Sequence, residues 1–222
     1  MPQLPNKANR KEMTTRTRIL DSAAELFSSH SYAQTSTHQI ADNIGMRQAS
    51  LYYYFPSKIA ILETLLKYFT DTAMKLSKYL ETRPDISVEQ KLWTLVAGIA
   101  RLLLACRWNV GRIYYLANDT NDDPEFTNAV AIRDELKTAF ERLAAQIVGQ
   151  WDPRTLLPFH LVMAITEMHP NSGTIPRMLR DSSLPKQAKM LADATLDLLH
   201  APLPEDREEV ALELIRQADE VN

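Results

Sequence analysis

From Ser36 to Lys58 the chain reads Ser-Thr-His-Gln-Ile-Ala-Asp-Asn-Ile-Gly-Met-Arg-Gln-Ala-Ser-Leu-Tyr-Tyr-Tyr-Phe-Pro-Ser-Lys. Its arginine, glutamine, serine and tyrosines are hydrogen-bonding groups suited to a polar, anionic surface, and duplex DNA offers one. Gln48 can pair with adenine, Arg47 with guanine or phosphate, and Ala49 can touch a thymine methyl; a good bidentate base contact discriminates by about 1–3 kcal/mol. Tyr52, Tyr53 and Tyr54 cannot all be buried, because consecutive helical residues point about 100° apart. At least one faces solvent, where its hydroxyl is a natural phosphate donor; the others pack against neighbouring helices. Lys58, Thr37 and His38 stand where helices are expected to begin, positions that favour an anion. For His38 a plain surface role fits equally.

Arg47 is the sharpest single clue. A cation at a helix N-terminus opposes the helix dipole by roughly 0.3–1 kcal/mol. That local cost makes sense if phosphate or guanine is the partner; an arginine tolerated in solvent is the competing reading.

These side chains need two short helices and a tight turn. Gly45, with no Cβ, suits the left-handed residue that ends the first, Thr37 to Ile44. Met46 then packs inward, and Arg47 to Phe55 forms the second, with Leu51 and Phe55 on its buried side. The N-terminal end of such a second helix is the part that reaches base edges in a helix-turn-helix. A preceding helix is expected from about Thr14 to Ser29, where Ile19, Leu20, Ala23, Ala24 and Phe27 make one apolar face. Pro56 ends the recognition helix, and Ser57 is placed to cap a fourth, reaching to about Leu80.

The whole chain reads as all-α. Glycine numbers only 5 of 222 residues, good helix formers are abundant, and no alternating run is long enough for a strand. Beyond Arg83-Pro84-Asp85, helices are expected at about 87–107, 109–118, 123–150, 154–169, 185–200 and 204–220, with 170–185 the longest irregular piece. Residues 1–13 read as a disordered tail; Lys7, Arg10 and Lys11 in it either reach a DNA backbone or are simply solvated.

Charge is unevenly divided. Residues 1–60 hold seven Lys and Arg against four Asp and Glu, a balance of +3, whereas residues 61–222 hold 18 against 24, a balance of −6. A basic module on an acidic body fits DNA binding by one end, although an excess of three also arises by chance. The single cysteine, Cys106, allows no intrachain disulfide and no cysteine-based zinc site, in keeping with a reducing cytoplasm. No signal peptide is apparent at the N-terminus. The most apolar stretch, Leu92 to Cys106, is 15 residues long and contains Arg101. A membrane span needs roughly 20 apolar residues, so a buried helix is expected and no membrane partner.

Enzyme signatures are missing. There is no Gly-x-Ser-x-Gly elbow, no Gly-rich phosphate loop ending in Lys-Ser/Thr, and no His-Glu-x-x-His. His160, Glu167 and His169 are poorly spaced for a chelate, and Cys106 among leucines reads as a structural thiol. No metal, cofactor or catalytic residue is expected.

Residues 18–66 resemble the DNA-binding domain of the TetR family of bacterial transcriptional regulators. The matching residues are Ile19-Leu20-Asp21-Ser22-Ala23 with Leu26-Phe27, then Thr35-Ser36-Thr37, Ile40-Ala41, Gly45, Leu51-Tyr52-Tyr53-Tyr54-Phe55, Ser57-Lys58 and Leu62. The resemblance implies DNA-facing positions at Thr37, His38, Arg47, Gln48, Ala49, Tyr52, Tyr53 and Lys58. Three residues depart from the family pattern: Ser31 where Gly is often found after helix 1, which points to a strained or differently shaped turn; Arg47 where a capping Ser is common; and Tyr54 where His is common.

The resemblance also implies an architecture. An N-terminal three-helix domain, residues 14–60, is joined by a linking helix to a larger helical ligand-binding and dimerisation domain, residues 61–222. The expected partners are double-stranded DNA, a small-molecule effector and a second copy of the chain. Candidate effector contacts are Trp93, Arg107, Trp108, Arg112, Tyr115, Phe159, His160, Met163 and Glu167, with Leu103, Cys106 and Phe140 near them. Core packing is the competing reading for each aromatic and methionine; Arg112, His160 and Glu167 stand out as polar groups on apolar faces. Helices 154–169 and 185–200 carry apolar stripes, and the resemblance makes them a four-helix homodimer interface. A dimer reads a palindrome with half-sites about 34–36 Å apart or a multiple. The expectation is a cytoplasmic, ligand-responsive repressor. The alternative is a helical sensor or interaction module whose helix-turn-helix no longer binds DNA.

Overall fold

The computed structural model describes residues 14–109, 111–113, 127–169 and 183–220. The expected tail 1–13 and most of the segments 109–118 and 170–185 lie outside these. Among the described residues the chain is helical, with no strand. The described residues form nine α-helices: α1 Thr15–His30, α2 Thr37–Asn43, α3 Gln48–Tyr54, α4 Lys58–Glu81, α5 Val88–Ala105, α6 Thr127–Val148, α7 Leu157–Ala164, α8 Lys186–Leu198 and α9 Arg207–Glu220. Short 3₁₀ turns, Pro153–Leu156 and Ile165–Met168, flank α7.

Two compact units form. The first contains residues 14–69 together with the described residues of 106–133. Its core is built from the predicted apolar face of α1: Ile19, Ala23, Ala24 and Phe27 are buried, and Ile40, Leu51, Phe55, Ile61, Leu62 and Leu66 close over them. Thr14 caps α1, its hydroxyl accepting from the Thr17 amide at 3.3 Å. Ser57 caps α4 as expected, accepting from the Ala60 amide at 3.1 Å.

The second unit contains residues 70–105, 134–169 and 183–220. It is organised around α5, in which every residue from Leu92 to Ala100 is buried. An all-round apolar helix must be enclosed; α8 and α9 pack on α5. The Trp93 indole donates to Asp193 of α8 at 2.7 Å. Gly98 permits the closest approach, since a Cβ there would meet a Leu76 methyl at 2.6 Å. Among the described residues no helix is long and apolar enough to cross a membrane, so the 15-residue apolar stretch is the interior helix its length implied.

The expected helix over 154–169 is an unbroken helical run, 153–168, whose two ends are 3₁₀ rather than α. Asp152 caps a 3₁₀ turn, accepting from the Arg154 amide at 2.8 Å, and Pro158 removes a donor just inside α7. Proline belongs in the first turn of a helix, so α7 starts there rather than continuing from 154.

Candidate nucleic-acid interface

Two devices fix α2. Ser36 and Gln39 form a reciprocal capping box: the Ser36 hydroxyl accepts from the Gln39 amide at 3.1 Å, and the Gln39 side chain accepts from the Ser36 amide at 2.7 Å. The Ser-x-x-Gln spacing signals this box in the sequence. At the other end the Gly45 amide bonds the Asp42 carbonyl at 3.0 Å and the Met46 amide bonds the Ala41 carbonyl at 3.0 Å. Gly45 has φ +70°, the left-handed turn its lack of a Cβ suits.

Arg47 is the N-cap of α3, extended and with no side-chain capping bond. It is exposed, as are Ala49 and Ser50. Leu51 and Phe55 anchor α3 inward. The tyrosine trio divides as its helical spacing requires: Tyr53 is 85% exposed and Tyr52 46% exposed, while Tyr54 is half-buried with its ring edge-on to Tyr53.

Helix α1 braces both short helices through their backbone carbonyls. Arg18 donates to the Ile44 carbonyl at 2.7 Å. Arg16 donates to the Tyr54 carbonyl at 3.1 Å and lies over the Phe55 ring, 4.2 Å from its centroid. The Ser22 hydroxyl donates to the Ile40 carbonyl at 3.2 Å, and Asn43 donates to Ser22 at 3.1 Å. Helix C-termini leave carbonyls unsatisfied, and arginine donors suit them. The apolar face of α1 is legible in the sequence; this role of its polar face is not.

A concavity of about 440 Å³ opens beside α2 and α3, lined by residues 33–37, Tyr52, Pro56, Ser57 and Lys58. The Thr37 and Tyr52 hydroxyls share a hydrogen bond of 3.1 Å. Gln48 donates to the same Thr37 hydroxyl at 2.8 Å, so in the free protein its amide rests on Thr37 rather than projecting with Arg47, Ala49 and Ser50. An amide without a base takes the nearest acceptor. Lys58 differs from expectation in the same way. Its ammonium donates to the Tyr32 and Thr35 carbonyls, each at 3.0 Å, and lies 4.0 Å from the Tyr32 ring centroid. It thus closes the α1–α2 loop as well as facing the concavity. That loop begins at Ser31, whose φ is +79° and ψ 158°. His38, exposed, pairs with Asp42 one turn on at 2.9 Å.

Residues 19–65 match the family described as bacterial regulatory proteins, tetR family. Over nearly its whole length the chain is similar to the crystal structure of Mycobacterium smegmatis AmtR, at 33% identity and a TM-score of 0.76, covering 91% of this chain and 94% of that one. The chain belongs to the TetR family. Among curated relatives, YuxN, an uncharacterised HTH-type transcriptional regulator of Bacillus subtilis (strain 168), is 33% identical over 67 residues. IcaR of Staphylococcus aureus (strain Newman), an HTH-type negative transcriptional regulator of a biofilm operon, is 32% identical over 72 residues. These two alignments span 30% and 32% of this chain but only 23% and 39% of the relatives' lengths. A TetR-family fold is what the structure shows: an N-terminal helix-turn-helix followed by a larger helical region.

The eight candidate effector contacts among the described residues do not gather around one cavity. Trp93, Phe159 and Met163 are core residues; Phe159 packs edge-on against Phe140 with centroids 6.1 Å apart. Arg112, His160 and Glu167 are exposed, and Tyr115 lies outside the described residues. Arg107 and Trp108 are buried in the unit of the helix-turn-helix and bind Asp21 of α1. The family resemblance makes them candidate effector contacts; the buried carboxylate they serve is 86 and 87 positions away and leaves no local trace in the sequence. In the second unit a cleft of about 970 Å³ is lined by Arg83, Ile86, Arg101 of α5 and much of α9. None of the described candidates lines it. Burial pushes the Cys106 thiol up to about 12, which keeps it protonated at neutral pH.

Proposed function

We propose that the chain is a sequence-specific DNA-binding transcriptional regulator, a ligand-responsive repressor that binds a palindromic operator as a homodimer in the cytoplasm. The observation that carries this is the exposed start of α3, Arg47, Ala49 and Ser50, beside a polar concavity formed by Thr37, Tyr52 and Lys58. Bases meet the first group, and phosphates settle against the second with His38 and Tyr53 at hand. Gln48 leaves Thr37 for a base edge when DNA arrives. IcaR's described role as a negative transcriptional regulator supports repression.

Homodimerisation has a physical rationale in the second unit. Leu156, Leu157, Met168, Met190 and Leu198 are large apolar side chains left exposed on and around α7 and α8. Apolar patches of this kind mark association surfaces. Effector binding is proposed on family kinship.

The test is selection of duplexes from a random-sequence pool by the purified protein, followed by a salt titration on the recovered sequence. Affinity falls steeply with salt through counterion release. Tyr52→Phe with Lys58→Ala weakens binding to all sequences alike, whereas Gln48→Ala relaxes preference at particular positions. Absence of binding to any duplex at low salt refutes the reading.

A further inference from the structure

The side chain of Asp21 is buried on α1, and residues just beyond α5 hold both of its carboxylate oxygens. Arg107 donates to Oδ2 at 2.7 Å and the Trp108 indole donates to Oδ1 at 2.9 Å. The arginine carbon lies 4.8 Å from the Trp108 ring centroid, so each donor also braces the other. Arg107 is only 3% exposed. A charge pair this far from water persists only with close geometry and full hydrogen bonding, and it tolerates little displacement.

What α1 does with its neighbouring residues gives this pair its meaning. Arg18, one turn before Asp21, holds the last turn of α2 at Ile44; Ser22, the next residue, holds α2 at Ile40; Arg16 holds α3 at Tyr54. Helix α1 is therefore gripped at Asp21 and in turn grips three carbonyls of the recognition pair. Hydrophobic packing alone would let α1 slide or roll by fractions of an ångström; a carboxylate held at both oxygens fixes its rotation.

We propose that Arg107 and Trp108 are positioning residues for DNA binding: through Asp21 they set α1, and through α1 they set α2 and α3 on the operator. This rests on the DNA-binding reading above. It moves Arg107 and Trp108 from the effector site to the operator-binding machinery, although neither touches DNA. It also means that residues 14–60 lack part of what orients their own recognition helix.

The experiment uses the full chain and a duplex recovered by the wild-type protein from a random pool. The double variant Asp21→Asn with Arg107→Met removes both charges of the pair together; Asp21→Asn keeps a side-chain oxygen that accepts from the Trp108 indole. Arg107→Lys keeps the cation, and Trp108→Phe removes one donor while keeping the ion pair, which covers the case in which the double variant does not fold. The expected result is about a tenfold loss of affinity in the double variant, the equivalent of roughly one base contact. Arg107→Lys restores most of it, and Trp108→Phe falls between. In the DNA-free proteins, amide exchange rises across residues 37–55 and stays unchanged across 186–198 and 207–220. A folded double variant that binds like the parent, or exchange that rises equally in all segments, overturns the inference while leaving the DNA-binding reading intact. Failure of the wild-type protein to recover any duplex overturns both.

Discussion

Replacing Ser31 by glycine should stabilise the protein. Ser31 has φ +79° and ψ 158°, in a region of backbone space open essentially to glycine alone. A side-chain-bearing residue there costs on the order of 1–3 kcal/mol. Among the described residues no hydrogen bond of the Ser31 side chain offsets this; the contact that matters is the Ser31 carbonyl, which accepts from the Thr35 hydroxyl at 2.8 Å and which glycine retains. Against the relief stands the greater freedom of glycine in the unfolded chain, about 0.4–1 kcal/mol. The net expectation is about 1 kcal/mol in favour of Ser31→Gly. For a chain of this length that raises Tm by about 2–4 °C. Differential scanning calorimetry of the wild type, Ser31→Gly and Ser31→Ala reads it. Alanine keeps the Cβ and should match the wild type. A glycine variant with unchanged or lower Tm, or an alanine variant that gains as much, refutes the strain argument.

Gly45 makes the opposite prediction. Its φ is +70° with open space where a Cβ would go, so Gly45→Ala costs about 1–2 kcal/mol of backbone strain without a clash, and Gly45→Asn costs less; urea midpoints of the two variants check the order. In the second unit, Trp93→Phe leaves Asp193 without its indole donor and lowers stability by about 1.5–3 kcal/mol, the worth of a hydrogen bond to a charged group, as read by urea unfolding. Burial acts to raise the Asp193 carboxyl, but hydrogen bonds from Arg207 and Trp93 outweigh it and hold the group below its ordinary value. The stabilisation is therefore complete above the ordinary carboxylate range and is lost as pH falls through the depressed value. Stability of the Asp193→Asn variant, measured against pH, should lose that acid-side dependence.

The parts of this protein legible in its sequence are those encoded locally. Gly45 marked a turn because only its own backbone had to be considered, and Pro56-Ser57 marked a helix boundary for the same reason. Ile19, Ala23 and Phe27 showed the buried face of α1 because helical period places them together whatever covers them. Residues whose roles depend on distant partners were not legible. Arg107 and Trp108 looked like any polar and aromatic pair at the end of an apolar helix; only the fold brings Asp21 to them. Arg16 and Arg18 carried no sign that carbonyls at Tyr54 and Ile44 would receive them. Gln48 and Lys58 were assigned by residue type to bases and phosphates, and the free protein shows the contacts they keep when neither is present.

Neutral acceptors receive three cations of the helix-turn-helix unit. Arg16, Arg18 and Lys58 all donate to backbone carbonyls, which have dipoles but no net charge. The bonds of Arg16 and Arg18 organise the domain without cancelling either cation, so these two groups still contribute a positive field at its surface. Ionic strength screens that field over about 10 Å at 0.1 M salt but barely weakens a short bond to a neutral acceptor. Added salt should thus dissociate DNA while the domain stays folded, and the slope of a salt titration will report on phosphate contacts rather than on the integrity of the helices that make them.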